Sequence, residues 1–151
     1  MRWLECRVPP PVVGLLCALL MYGLHGWLPA AAMLLPAALA WPFVALGLLL
    51  DGSAVLAFFR QHTTVNPLKP QNSTALVISG FYRISRNPMY LGMLCLLLAW
   101  ALWLGNWATL AGPLLFWLWI SRWQIAPEER ALAQRFGDDY RGYCRRVRRW
   151  L

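Results

Sequence analysis

Charged side chains are scarce in this sequence. Only 13% of its 151 residues are charged, against 60% that are hydrophobic, whereas about 25% of the residues in a soluble domain are charged. This shortage excludes an ordinary water-soluble fold of this size. Histidine is also rare, with two residues, and the four cysteines are far apart and form no Cys-x-x-Cys pair. We therefore expect no metal site and no disulfide bond.

Apolar residues instead form long blocks, and about 20 helical residues are needed to cross a bilayer. The blocks predict an all-α integral membrane protein with four transmembrane helices in two hairpins. The predicted spans cover approximately residues 12–28, 30–50, 87–104 and 107–123. Two polar segments, 51–86 and 124–151, complete a single membrane domain over residues 1–151.

The distribution of charge predicts how these spans are oriented. All fourteen Lys and Arg residues precede the first span, lie between the hairpins, or lie at the end of the fourth span or beyond it. Positive residues collect on the cytoplasmic side of membrane proteins, so both termini and the middle segment are predicted to be cytoplasmic. We attribute the net charge of +8 to this orientation and to anionic lipid head groups, and not to nucleic acid.

The residues that lead into the third span form the first candidate site. Asn is favoured just before a helix and Pro at its first position, so Asn87-Pro88 predicts a helix start at the cytoplasmic surface. The free amides of that turn, with Arg86 beside them, suit a carboxylate ligand. Tyr82 and Tyr90 offer aromatic faces to a cation, and Gly92 allows a ligand to approach closely. The structural alternative is that Asn87 caps the helix and Arg86 only orients the span.

Two carboxylates follow the fourth span and form the second candidate site. Pro127 can open a helix, and Glu128 and Glu129 in its first turn would complement the helix dipole. The same acids can accept hydrogen bonds from an amine, an adenine amino group or ribose hydroxyls. Beyond them, apolar residues at three- or four-residue steps predict a C-terminal amphipathic cytoplasmic helix, which Gly137 and Gly142 weaken. These residues are Leu132, Phe136, Tyr140, Tyr143 and Val147.

Several short motifs follow one another between about residue 60 and residue 149. They are Thr64 to Pro67, Leu76 to Tyr82, Arg86 to Gly92, Glu128 to Leu132, Phe136 to Tyr140, and Tyr143. In this order they resemble the isoprenylcysteine carboxyl methyltransferase and phospholipid methyltransferase superfamily. The resemblance implies a small bacterial-type member in the plasma (inner) membrane. Such a protein would use S-adenosylmethionine to methylate a lipophilic small molecule or an isoprenylcysteine-like carboxyl or thiol acceptor.

The resemblance, together with the local chemistry described above, also assigns residues to the site. The predicted cofactor contacts are Leu76, Val77, Tyr82, Arg86, Asn87, Pro88, Tyr90, Gly92, Glu128 and Glu129. The catalytic candidates are Arg86, Glu128 and Arg122. Gln124 stands where the carboxyl methyltransferases have a substrate-binding arginine, so Gln124 and the nearby Arg122 are the candidates for substrate binding.

Three alternatives remain open at this point. The nearest is phospholipid N-methylation, which would use the same cofactor. A membrane sterol-type reductase, which would bind a nicotinamide cofactor, shares a similar polar turn before a late span. The third is a non-enzymatic membrane scaffold. The expected partners are the bilayer and a lipophilic substrate, while the methyl acceptor and the oligomeric state are not determined by the sequence.

Overall fold

Helices dominate the computed structural model, which describes residues 5–60 and 76–151. Helix α1 spans Pro10–Trp27, α2 Ala40–Arg60, α3 Pro88–Leu104, α4 Ala111–Trp119 and α5 Ala126–Arg146. Short 3₁₀ turns cover Pro29–Ala31, Ala37–Leu39, Gly80–Arg83 and Trp107–Leu110, and a π-helical turn covers Ile120–Ile125. The predicted all-α class is confirmed for this part of the chain.

The outer faces of the bundle are apolar, as a lipid-facing surface requires. Helix α1 and the segment Ala37–Ala57 are long and apolar enough to cross a membrane, and α3 is a shorter apolar helix. Exposed leucines cover the outer faces of α1, α2 and α4, and such extended apolar surface is typical of membrane contact. They include Leu15, Leu16, Leu19, Leu46, Leu48, Leu49, Leu114, Leu115 and Leu118. The arrangement of four spans as two hairpins stays a prediction.

The second helix begins later than the sequence predicts. A span was expected from Ala30, but α2 starts at Ala40. Pro29 and Pro36 explain the difference, because proline removes a backbone donor and disfavours helix in the residue before it. Because residues 30–39 are otherwise apolar, their composition did not indicate these two interruptions of the helix.

The polar segment predicted from residue 51 also begins as helix. Helix α2 continues to Arg60, so Asp51 lies within it. One Asp among apolar neighbours does not end a helix, since its propensity cost is only about 0.7 kcal/mol. The motif Thr64 to Pro67, which lies further along the same segment, is outside the described residues.

No non-helical residue separates the end of the fourth predicted span, 107–123, from the C-terminal helix. A π-helical turn over Ile120–Ile125 joins α4 directly to α5. Pro127 accounts for this turn, because it has no N–H to give to the Trp123 carbonyl and its ring would crowd that carbonyl in an α-helix. The Trp123 carbonyl instead accepts a hydrogen bond of 3.0 Å from the backbone N–H of Cys6.

Helix α5 confirms the predicted amphipathic pattern. Its apolar residues pack into one cluster, which contains Leu132, Phe136, Tyr140, Tyr143 and Val147. Of the two glycines, Gly137 leaves helical geometry, with φ 52° and ψ −120°, while Gly142 remains helical. The helix is therefore kinked once.

At the end of the bundle opposite the candidate site, hydrogen bonds join the turn between α1 and α2 to the turn between α3 and α4. The Asn106 side chain donates to the Leu28 carbonyl at 2.8 Å. The Met33 N–H donates to the Gly105 carbonyl at 2.6 Å, and Ala32 and Asn106 form an isolated β-bridge. The pair α1 and α2 is thus joined to the pair α3 and α4 at this end.

Helices α2 and α3 approach each other closely at two glycines. A Cβ atom added at Gly47 would lie 2.8 Å from Leu96 Cγ and 2.9 Å from the Gly92 carbonyl oxygen. A Cβ atom added at Gly92 would in turn lie 2.9 Å from the Gly47 carbonyl oxygen. Small residues at helix contacts permit this approach in membranes.

Substituting Gly47 with alanine is expected to destabilise the protein by about 1–3 kcal/mol, because the added methyl group overpacks the contact with α3. The matched control is Gly52→Ala on the same helix, where a Cβ atom would meet nothing within 4 Å. This control should be neutral or stabilising by up to about 1 kcal/mol. Thermal unfolding in detergent measures both variants, and equal effects would contradict the close approach.

Candidate functional site

The C-terminal segment crosses the start of α3. The helix begins where the sequence predicts, but the Asn87 side chain does not cap it. That amide donates instead to the Arg149 carbonyl at 2.9 Å, and the Ser85 hydroxyl accepts from the Asn87 N–H at 3.1 Å. The Arg86 N–H donates to the Arg148 carbonyl at 3.0 Å. The last residues of the chain therefore lie against the turn that was predicted to bind a ligand.

Glu128 lies in an enclosed position between α3 and the π-helical turn. Its Oε1 accepts hydrogen bonds from the Tyr90 hydroxyl at 2.7 Å and from the Gln124 amide at 2.5 Å. Burial raises the pKa of Glu128 to about 7, although the two hydrogen bonds oppose this shift. The carboxyl group is consequently able to change protonation near neutral pH.

Glu129 lies next to Glu128 in sequence, but its carboxylate is paired with arginine side chains. It pairs with Arg86 Nη2 at 3.1 Å, and Arg149 Nε donates to it at 3.1 Å. The Arg86 guanidinium also contacts the Cys144 sulfur. Its Nε is buried and has no hydrogen-bond partner within residues 5–60 and 76–151. Arg86 thus retains a buried donor for a further acceptor.

The segment before α3 is held between α2 and α5. Tyr143 donates a hydrogen bond of 2.6 Å to the Tyr82 carbonyl, and burial raises the pKa of Tyr143 to about 12, so the hydroxyl stays protonated. Val77 and Tyr82 pack with Ala54 of α2, while Leu76 lies against the apolar cluster of α5. These contacts bring the predicted residues of this segment close to the start of α3.

The N-terminal segment lies against the beginning of α5. Glu5 forms an ion pair with Arg130 at 2.5 Å. Burial, and then the nearby charge of Glu128, raises the pKa of the Cys6 thiol to about 11. Residues near the N-terminus therefore contribute to the surroundings of Glu128.

Two predicted site residues lie apart from this arrangement. Gly92 faces α2, where an added Cβ atom would meet Gly47 and Asp51, whereas Tyr90 faces Glu128. Arg122 is exposed on the π-helical turn and forms no ion pair with any residue that the structure describes. The structure also joins Gln124 to Glu128, which uses the amide that was predicted to contact the substrate.

Some residues of the site were not predicted. Arg148 and Arg149 are among the basic residues that the charge distribution assigns to orientation, and Cys144 is one of the four cysteines for which only the absence of a disulfide bond and a metal site was expected. The bond between Asn87 and Arg149 links residues 62 positions apart. No local pattern indicates such a pairing, because it depends on where the kinked α5 returns the chain.

Over the described residues, the fold and the site are those of a helical membrane protein with two neighbouring carboxylates and an arginine beside a helix start. The model of the phospholipid methyltransferase family matches residues 35–139, and the chain belongs to this family. A protein-S-isoprenylcysteine O-methyltransferase of Schizosaccharomyces pombe is 32% identical over 106 residues, which are 70% of this chain and 44% of that protein. The chain thus spans less than half the length of this relative.

A second relative is a shorter protein than this chain. An uncharacterized protein of Haemophilus influenzae is 54% identical over 63 residues, which are 42% of this chain and 100% of that protein. No solved structure matches the chain. The family match and the apolar helices together indicate a membrane protein of a methyltransferase family.

Proposed function

We propose that the protein transfers a methyl group from S-adenosylmethionine to an oxygen or sulfur atom of a lipophilic acceptor. The observation that carries this proposal is the group of polar side chains at the start of α3. Glu128 is held there by Tyr90 and Gln124, and Glu129 pairs with Arg86. Such a group combines acceptors for hydroxyl and amino groups with a donor for a carboxylate.

The residues present fit this cofactor. Its amino acid part carries a carboxylate, which the buried and unpartnered Nε of Arg86 can bind, since none of the described residues accepts from that atom. Glu128 can accept from amino or hydroxyl groups, and its ionised form favours a cation. Val77 and Tyr82 supply an apolar surface for a purine ring.

The cofactor supplies a methyl group that is already electrophilic, so the protein needs no covalent nucleophile. Its residues bind, orient and exclude water. The C-terminal segment covers the start of α3 through bonds to Arg86 and Asn87. The apolar outer faces of the helices give a lipophilic acceptor access from the bilayer.

Calorimetric titration of the detergent-purified protein with S-adenosylhomocysteine tests the proposal. We expect binding of this product and no binding of NADPH. Binding of NADPH without binding of S-adenosylhomocysteine would support a reductase instead. Failure of both to bind would favour a scaffold.

Phospholipid N-methylation is a second candidate, and the description of the matching family favours it. The two candidates differ in where the methyl group is found. Membranes that contain the protein are incubated with methyl-labelled cofactor, and the lipids are then extracted. Label in aminophospholipid head groups would favour N-methylation, whereas base-labile label would indicate a methyl ester.

A further inference from the structure

Asp51 is an acid within the apolar segment Ala37–Ala57. Its Oδ1 is buried, and no residue in the described ranges gives it a hydrogen bond. An ionised carboxyl group inside the hydrocarbon layer is costly, by about 2.5–3.5 kcal/mol at the centre of the layer on insertion scales and by less towards its surface. An acid in such a position marks a site for a partner that compensates this cost.

The position of Asp51 relates it to the candidate site. Its carboxyl group lies against Gly92 of α3, since a Cβ atom added there would collide with it. Gly92 is four residues into α3, about 6 Å along the helix axis from its first residue. Ala54, one turn further along α2, is buried against Val77 and Tyr82. Asp51 therefore lies roughly one helical turn deeper in the apolar layer than these predicted cofactor contacts.

A lipophilic acceptor that comes from the bilayer would reach this depth before it reaches the cofactor contacts. A partner for Asp51 must donate a hydrogen bond or carry positive charge. Cys95 is a nearby titratable group on α3, but its thiol is only a weak donor. The polar head of the acceptor is therefore the partner that matches this depth and chemistry.

We propose that Asp51 binds an acceptor whose head group carries an N–H or S–H, and that Asp51 takes its proton. This inference rests on the proposed methyl transfer from S-adenosylmethionine and narrows its acceptor to a thiol, as in the first candidate function, or to an amine, as in the second. In that step the S–H bond of a thiol, or one N–H bond of an amine that enters as an ammonium group, breaks and its proton passes to the Asp51 carboxylate. The released electron pair forms the bond to the methyl carbon, and the pair of the broken sulfur–methyl bond remains on the donor sulfur. A carboxylate acceptor has no proton to lose and does not require Asp51.

Three probes that share the same length of alkyl chain but differ in their head groups test this role. They are dodecylamine, dodecanethiol and dodecanoate. Asp51→Asn keeps the shape of the side chain but removes its negative charge. We expect this variant to methylate the amine or the thiol about 100-fold more slowly than the wild type. Its affinity for the same probe, measured by calorimetry without cofactor, should fall by roughly tenfold. Affinity for S-adenosylhomocysteine should stay within about twofold of the wild type. The matched control is Asp138→Asn, which changes a carboxyl group that is 94% exposed.

Unchanged rates and probe affinity in Asp51→Asn would overturn the inference. So would a wild-type protein that methylates dodecanoate alone, or an equal loss with all three probes. If Asp51→Asn does not fold, the same measurements on Asp51→Ser decide between these outcomes. Lack of S-adenosylhomocysteine binding by the wild type would instead defeat the proposed function, so the two failures are distinguishable.

Discussion

Glu128→Gln is expected to weaken binding of S-adenosylhomocysteine by roughly 10- to 100-fold at pH 8. The reason is that hydrogen bonds to a charged group contribute about 1.5–3 kcal/mol, and the substitution removes the charge from an enclosed acceptor. Glutamine can still accept from Tyr90 and Gln124, which bond to the same oxygen in the wild type. Calorimetric titration measures the change, and an unaltered affinity would remove Glu128 from the cofactor site.

The pH dependence of the same pair of proteins gives an independent check. The pKa of Glu128 is about 7, so wild-type affinity should fall as the pH is lowered through 7. The affinity of Glu128→Gln should not follow this curve. Asp138→Asn, which changes an exposed carboxyl group, should behave as the wild type. A flat wild-type profile would contradict the role of the ionised form.

Stability should respond to pH in the opposite direction. The folded-state pKa of Glu128 is raised from the ordinary 4.5 to about 7, so the folded protein holds this proton more tightly than the unfolded chain. The resulting stabilisation is complete below about pH 4.5 and is lost as the pH rises through 7. Relative to the wild type, Glu128→Gln should therefore gain stability between these two values.

The sequence predicted the features that depend on neighbouring residues. The start of α3 at Asn87-Pro88, the amphipathic pattern of α5 and the weakness at Gly137 are all properties of a few adjacent positions, and the structure has them. Long apolar runs likewise indicated the membrane helices. Composition alone was misleading between Pro29 and Leu39, where Pro29 and Pro36 delay the second helix.

The parts of the site that were not predicted depend on contacts between distant segments. Asn87 was predicted to contact the cofactor, with capping of α3 as the structural alternative. Its side chain does not cap the helix and bonds to Arg149, because the C-terminal segment returns to this point. Gly92 was assigned to a ligand, but its face is occupied by α2. Both differences follow from the packing of helices and segments that are distant in sequence. This packing determines which side of α3 can meet a ligand, and the local pattern of residues does not specify it.

Asn106→Ala is expected to destabilise the protein by roughly 2–4 kcal/mol. Asn106 is 1% exposed, donates to the Leu28 carbonyl at 2.8 Å and accepts from the Ala108 N–H at 2.9 Å. Alanine would leave both backbone groups without these partners, and an unsatisfied buried group costs about 1–3 kcal/mol. The melting temperature in detergent should fall by roughly 4–16 °C, at about 2–4 °C per kcal/mol for a chain of this size.

The control separates this structural role from a role in binding. Asn87→Ala removes a side-chain amide whose bond to Arg149 is exposed, so it should change the melting temperature by less than half as much. Asn106 joins the turns at the opposite end from Glu128, so Asn106→Ala should leave affinity for S-adenosylhomocysteine within about twofold when measured well below its melting temperature. A loss of affinity without a loss of stability would show that the two ends of the bundle are coupled. Equal melting temperatures for the two variants would show that the buried bonds of Asn106 do not hold the turns together.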